Sequence, residues 1–411
     1  MVHIGLGNFH RAHQVWYTAH AEDAAEWGIA AFTGRSPRQA ALLEKQDGLY
    51  TLEIRDGADT RIEVMANLLE VHDAAEIRRF AELLTDPAVV IVTLTITEAG
   101  YAGEGAIDRL VAGLEARRLA GAGAIAIVPC DNVPDNAGVA RRVIRERAAR
   151  ICDDLVDWVD REVSIVGTSV DRITPRIEGA SPHVLEAGWM DEAPVVTEAF
   201  TSWILSGDFP GGRPDWEAAG ARFVDDLTPW ESRKLWLLNG AHTILAVAGI
   251  EAGHTTVAAA IADERVRALV TDFWSEAVRL LPDGIEHEQY RRDLLARFAD
   301  TRIVHLLSQI AEATTTKVLF RLVPVAEATR IAGGEADASA RSLAAWIRAA
   351  ELGLLPLGEG DKDLSCFGGQ EDPLERVSPT LARDAQFRDR IDEALLRLRA
   401  SARRTITERT K

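Results

Sequence analysis

Glu231, Lys234, Asn239 and His242 stand in one short segment, Pro229-Trp230-Glu231-Ser232-Arg233-Lys234-Leu235-Trp236-Leu237-Leu238-Asn239-Gly240-Ala241-His242. Read as a helix at ~100° per residue, the four fall within an arc of about 140°. The positions around them include Leu235, Trp236, Leu237, Leu238, Ile244 and Leu245. A helix apolar nearly all round is a buried one, so its polar stripe must face a partner or a cavity. A carboxylate, an amine, an amide and an imidazole on that stripe suit proton transfer at an oxygen and hydrogen bonding of the charge that develops there. The plain alternative is a satisfied structural network. Composition adds weight to the amine. The 46 cationic residues are 41 Arg and five Lys, namely Lys45, Lys234, Lys317, Lys362 and Lys411. Arg keeps its proton in a protein, whereas a desolvated Lys can release one.

A second pattern lies at the start of the chain. His3-Ile4-Gly5-Leu6-Gly7-Asn8-Phe9-His10 follows a short apolar run and precedes a helix candidate, the place of a dinucleotide-binding fingerprint. Gly5 would allow the tight turn and Gly7 the close approach of a pyrophosphate to the helix N-terminus. Gly5, Gly7, Asn8 and Phe9 are therefore candidate cofactor-binding residues. His10 occupies the place of the usual third small residue. His10 and His13 have no carboxylate or Cys to complete a metal set and are expected to be solvated or to face phosphate. The acidic residue that binds the adenosine ribose should end the second strand, where the chain reads Thr33-Gly34-Arg35-Ser36. Arg35 suits a 2′-phosphate, so NAD and NADP both stay open.

The elements that must position these groups alternate at first between strand and helix. Strands are expected at Met1–Ile4, Gly28–Phe32, Val89–Thr97, Ala124–Val128 and Val163–Val170, with helices at Arg11–Ala25, Ile107–Leu119 and Val139–Val156. The Asp56-Gly57 turn between Tyr50–Ile54 and Arg61–Met65 signals a hairpin. Such alternation predicts an α/β fold, a mostly parallel, doubly wound sheet covered by helices on both faces. From Arg176 to Trp216 the texture is Gly-, Pro- and Trp-rich and reads as an irregular connection. Beyond Pro229 the periodicity is helical, with candidates near 230–249, 263–281, 287–299, 338–352 and 379–402 and a loop from Leu355 to Pro379. The expected organisation is a Rossmann-type domain over 1–180 and a mostly α-helical substrate domain over 181–411, with a site in the cleft between them.

The order Lys234-x-x-x-x-Asn239-x-x-His242 resembles the signature of the mannitol dehydrogenase family, the polyol-specific long-chain dehydrogenases. Further matches follow in order: His3-Ile4-Gly5-Leu6-Gly7-Asn8-Phe9-His10-Arg11-Ala12-His13, Gln46-Asp47-Gly48-Leu49-Tyr50-Thr51-Leu52, Thr95-Ile96-Thr97-Glu98-Ala99-Gly100-Tyr101, Cys130-Asp131-Asn132 and Val170-Asp171-Arg172-Ile173-Thr174-Pro175. The resemblance implies NAD(P) as cofactor and no metal. It implies Lys234 as general acid/base, Asn132 and Asn239 as donors to the reacting oxygen, His242 and Asp171 as ligands of neighbouring hydroxyls, and Glu231 on a proton path to solvent. Three departures stand out. The chain begins inside the first strand where relatives have an extension. An Asp-Gly-Ser before a substrate-contacting cation is replaced by Glu312-Ala313-Thr314-Thr315-Thr316-Lys317, with Lys317 still matching the cation and Arg321 a second one. The acidic residue near Arg35 is missing.

The expected activity is thus a metal-independent interconversion of a polyol and a ketose, of the mannitol–fructose kind. The alternatives are a hexuronate (fructuronate or tagaturonate) reductase, its substrate carboxylate held by Lys317 or Arg321, and a non-catalytic nucleotide-binding sensor. Charge agrees with a small-molecule substrate: 46 − 64 = −18 gives no global attraction for nucleic acid or an anionic membrane. No apolar run of ~18 residues suggests a span, and no basic-then-apolar start suggests a signal peptide. Cys130, Cys152 and Cys366 form no disulfide framework, so a cytoplasmic setting is expected. Oligomeric state is not legible.

Overall fold

The computed structural model describes the chain apart from residues 35, 58, 97–99, 102, 104, 176–181, 356–371 and 410–411, and only the backbone over 401–409. Arg35, Lys362, Lys411, Cys366, the middle of the Thr95–Tyr101 motif and most of the expected loop after Leu355 therefore lie outside the described residues. The chain forms two compact units, Met1–Leu227 and Thr228–Lys411.

The strands of the first unit, in chain order, are β1 (Val2–Ile4), β2 (Ile29–Phe32), β3 (Tyr50–Asp56), β4 (Asp59–Met65), β5 (Leu68–His72), β6 (Ile91–Leu94), β7 (Ile125–Pro129) and β8 (Val163–Ile165). They are followed by β9 (Gly167–Asp171), β10 (Val195–Glu198), β11 (Ser202–Ser206) and β12 (Arg222–Phe223). Six of them make an all-parallel sheet in the order β5-β2-β1-β6-β7-β8. Counted within the sheet this is 3-2-1-4-5-6, the order of dinucleotide-binding folds, and it reverses between β1 and β6. Every residue of β6 and β7 is buried, as the continuous apolar runs predict. Alternate residues serve opposite faces. Ala126 and Val128 join one core with Trp203 and Trp216, while Ile125 and Ile127 join another with Phe80, Leu114 and Ile144.

Several expectations change. The helix expected over Val139–Val156 is two, Asn136–Ala148 and Asp153–Glu162, with Cys152 at the second N-cap position. The strand expected over Val163–Val170 divides into β8 and β9, the latter leaving the parallel sheet to pair antiparallel with β11. The stretch from 176 to 216 is not an irregular connection alone, because β10 pairs with β3 and β11 with β9. The first unit runs to Leu227. The hairpin is present, with Asp56 opposite Asp59.

The second unit is helical. Helices run over Thr228–Arg233, Ala241–Glu251, Glu264–Ala277, His287–Ala299, Asp337–Glu351 and Ala385–Arg409, with shorter ones at Val257–Ala262, Leu307–Ala311, Thr314–Arg321 and Val323–Ile331. Ala241–Glu251 is its central helix, buried from Thr243 through Gly249. No helix of the described residues is long and apolar enough to cross a membrane.

Candidate active site

Between Arg233 and Ala241 the backbone is not α-helical. Lys234–Gly240 forms a π-helical turn flanked by α-helix on both sides. Its backbone bonds close on the fifth residue instead of the fourth. In an α-helix five steps turn ~500°, which would set Lys234 and Asn239 at opposite edges of the polar stripe, about 140° apart. The wider turn brings residues five apart toward one line, so the amine and the amide share a side. Such a turn redirects carbonyls, and side chains meet them. Trp274 Nε1 donates to Leu237 O at 2.7 Å. Thr243 Oγ1 donates to Asn239 O at 3.0 Å, and Arg321 reaches the same oxygen at 3.3 Å. Gly240 is required by close packing, since a Cβ there would lie 2.9 Å from Phe273 Cε1.

Asn239 is buried and Lys234 half-buried. Arg233 lies between the rings of Trp230 and Tyr290, at 4.6 and 4.3 Å, which anchors the turn at its entry. Glu231 is half-buried in the helix before it. One turn beyond Asn239, the His242 ring packs on Phe298 and edge-on to His305, centroids 4.9 and 5.1 Å away. Burial holds its pKa well below the usual histidine value, and His305, Arg297, Arg321 and Lys317 add to the effect. The imidazole is neutral, and its buried Nε2 makes no hydrogen bond among the described residues. Lys317 Nζ donates to Ile310 O at 2.7 Å and Arg321 also donates to Thr243 Oγ1 at 3.1 Å. The second unit thus gathers Asn239, His242, Lys317 and Arg321, with Lys234 on the same π-turn as Asn239. His305 belongs with them and was not foreseen, because no motif marks a lone histidine between helices.

In the first unit, the glycine turn sits at the end of β1, beside the point where strand order reverses. Gly5 has φ +112° and a Cβ on it would collide with the Thr95 carbonyl. Gly7 precedes the helix Asn8–Ala12, Asn8 Oδ1 accepts from Arg11 at 2.8 Å, and Phe9 stacks on His13 at 4.9 Å. His10 and His13 are neither solvated nor surface groups. Both are fully buried, His10 stacked on His3 and His13 bonded to Gln14 and to Ser202 O. Asn132 is exposed just past the end of β7, and Asp171 is the buried last residue of β9. Asp131, unremarked in the sequence beyond its motif, accepts from Ile96 N and Tyr101 Oη, and burial pushes its pKa up to about 7. The strand order and the glycine turn fit a dinucleotide. No group of three or more His, Cys, Asp or Glu among the described residues is placed to hold a metal ion.

Residues 1–218 match the mannitol dehydrogenase Rossmann domain and residues 226–351 the mannitol dehydrogenase C-terminal domain. The chain is 30% identical to the D-mannonate oxidoreductase of Escherichia coli (strain K12), over 85% of this chain and 79% of that one. It is 32% identical to the polyol:NADP oxidoreductase of Gluconobacter oxydans (strain 621H), over 77% and 73%. Among solved structures it resembles the Pseudomonas fluorescens mannitol 2-dehydrogenase ternary complex with NAD and D-mannitol, with TM-score 0.79, 28% identity, and coverage of 100% of this chain and 93% of that one.

Proposed function

The chain belongs to the mannitol dehydrogenase family, and we propose that it is a metal-independent, NAD-dependent oxidoreductase interconverting a polyol and its ketose, of the mannitol–fructose kind. One observation carries the reading: the π-turn that aligns Lys234 with Asn239 and leads into the neutral His242, whose Nε2 is buried. Gly5, Gly7, Asn8 and Phe9 at the glycine turn would hold NAD, which would supply a hydride acceptor when bound. In the oxidative direction the carbinol carbon loses hydride and its hydroxyl loses a proton, which the Lys234 amine takes up. In reduction Lys234 returns it. Asn239 and Asn132 are the proposed hydrogen-bond donors to the oxygen as it gains alkoxide character. His242 is neutral, so its free Nε2 can donate or accept toward a substrate hydroxyl, and Asp171 serves another. Glu231, a helical turn before Lys234, passes the proton toward solvent.

A second reading, a hexuronate reductase, is favoured by the cations near His242. Arg297, Lys317 and Arg321 all press on its charge, a setting suited to a substrate carboxylate. Nicotinamide absorbance with a panel of polyols, ketoses and hexuronates separates the readings. Oxidation of a polyol supports the first, reduction of hexuronates alone supports the second, and NADH binding without turnover of any of them overturns both in favour of a sensor.

A further inference from the structure

Strand β1 carries a histidine with both ring nitrogens engaged. His3 is fully buried, with Nδ1 2.7 Å from Thr93 Oγ1 and Nε2 3.0 Å from Thr95 Oγ1. Thr95 Oγ1 also donates to the Gly5 carbonyl at 2.8 Å. A hydroxyl has one proton, so Thr95, having given its proton to Gly5, can only accept from the ring. Nε2 therefore bears the hydrogen, Nδ1 accepts, and Thr93 donates to it. Burial pushes the His3 pKa down to about 3, which keeps the ring neutral as the count requires. The relay runs from Thr93 to His3 to Thr95 to Gly5.

The relay lies across β1 and β6, the two strands between which the sheet order reverses. It closes on the one glycine of the turn whose backbone no other residue adopts easily. The turn is tied from the other side as well, since the amides of Gly5 and Leu6 both donate to Phe32 O at 2.9 Å. His10, where the fingerprint ordinarily has a small residue, lies flat on His3 with centroids 3.3 Å apart and planes 4° apart. A stacked pair of imidazoles thus sets the spacing of helix and strand that a glycine sets elsewhere.

We propose that His3 and Thr95 are positioning residues for the cofactor, holding the glycine turn in the conformation that receives a dinucleotide pyrophosphate. The proposal rests on the nucleotide-binding reading above. It assigns β1 and β6 side chains a role that the turn's own sequence does not reveal. A half-buried hydroxyl, rather than a third glycine, holds the turn.

The test is NADH affinity by nicotinamide fluorescence, alongside Tm. Thr95→Val, which removes the hydroxyl that donates to the Gly5 carbonyl, should raise the NADH Kd about tenfold, whereas Thr95→Ser should stay within about twofold of wild type. Thr93→Val, one link further from the turn, should raise Kd about threefold and provides the measurement if Thr95→Val fails to fold. A Thr95→Val or Thr93→Val protein that is folded, lower in Tm and unchanged in Kd would show a purely structural relay and overturn the proposal. So would Thr95→Ser as weak as Thr95→Val. Wild-type protein that binds neither NADH nor NADPH would instead overturn the nucleotide reading itself.

Discussion

The guanidinium of Arg321 donates to the backbone carbonyl of Asn239 at 3.3 Å and to Thr243 Oγ1 at 3.1 Å. A residue expected from sequence to meet substrate thus also fastens the end of the π-turn that presents Asn239. Burial brings its pKa down to about 10, still charged at working pH. Arg321→Lys keeps the charge and loses the planar fork. The expected result is kcat lowered by roughly tenfold with polyols and sugar acids alike. A loss confined to KM for sugar acids would assign Arg321 to the substrate carboxylate alone.

Lys234→Ala should lower kcat by roughly two to four orders of magnitude while NADH still binds. Lys234→Arg should fail equally, because Arg keeps its proton. Steady-state kinetics and an NADH titration check both, and an Arg variant near wild-type rate would remove the acid/base role.

Chelation should leave activity intact. The polar groups gathered around His242 are cations and another histidine, a poor ligand set for a divalent ion. Dialysis against a strong chelator followed by assay tests this. Activity lost and then restored by zinc would reject the proposed mechanism.

Asp131 should print a pH slope on stability. Burial lifts its pKa to about 7 from 3.8, against the hydrogen bonds from Tyr101 and Ile96 that favour its charge. Folding therefore favours the protonated form, a contribution present in full below about pH 4 and lost as pH rises through about 7. Asp131→Asn stays neutral throughout. Between about pH 5 and about pH 8 the Tm difference should move in the variant's favour by several degrees. A difference flat across that range would show that Asp131 does not titrate there.

Arg35→Asp should shift cofactor preference toward NAD by ~1–3 kcal/mol if Arg35 faces the ribose, through lost attraction and added repulsion of a 2′-phosphate. The ratio of kcat/KM values for the two cofactors in wild type and variant measures it. An unchanged ratio would make Arg35 a surface cation.

Much of this was legible, for reasons that differ by residue. The runs Ile91–Leu94 and Ile125–Pro129 betray strands buried on both faces because nothing polar interrupts their local stretch beyond Thr93. The glycine turn is visible because the φ of Gly5 needs that residue type. Lys234, Asn239 and His242 stand out by spacing, yet counting at 100° per residue assumes an α-helix. The π-turn depends on Trp274, Thr243 and Arg321, which lie far along the chain or beyond the turn. β10 is hidden for a similar reason, since its partner β3 lies far back in the chain. The helix Thr314–Arg321 opens on three threonines, poor helix formers that only tertiary packing holds in place.

The pairing of β10 with β3 has a consequence for how the protein is made. Thr51 and Asp191, whose side chain binds both the Thr51 amide and its hydroxyl, are 140 residues apart in sequence. The parallel sheet can begin to assemble from the ribosome as soon as β8 emerges. Until residues beyond 195 follow, however, the β3–β4 hairpin keeps one edge open, and β9 lacks its neighbour β11. Contacts of such long sequence separation slow folding, and open strand edges invite association in the interval. The first unit is therefore a late closer whose vulnerable period during synthesis ends only when Ser202–Ser206 has docked on β9.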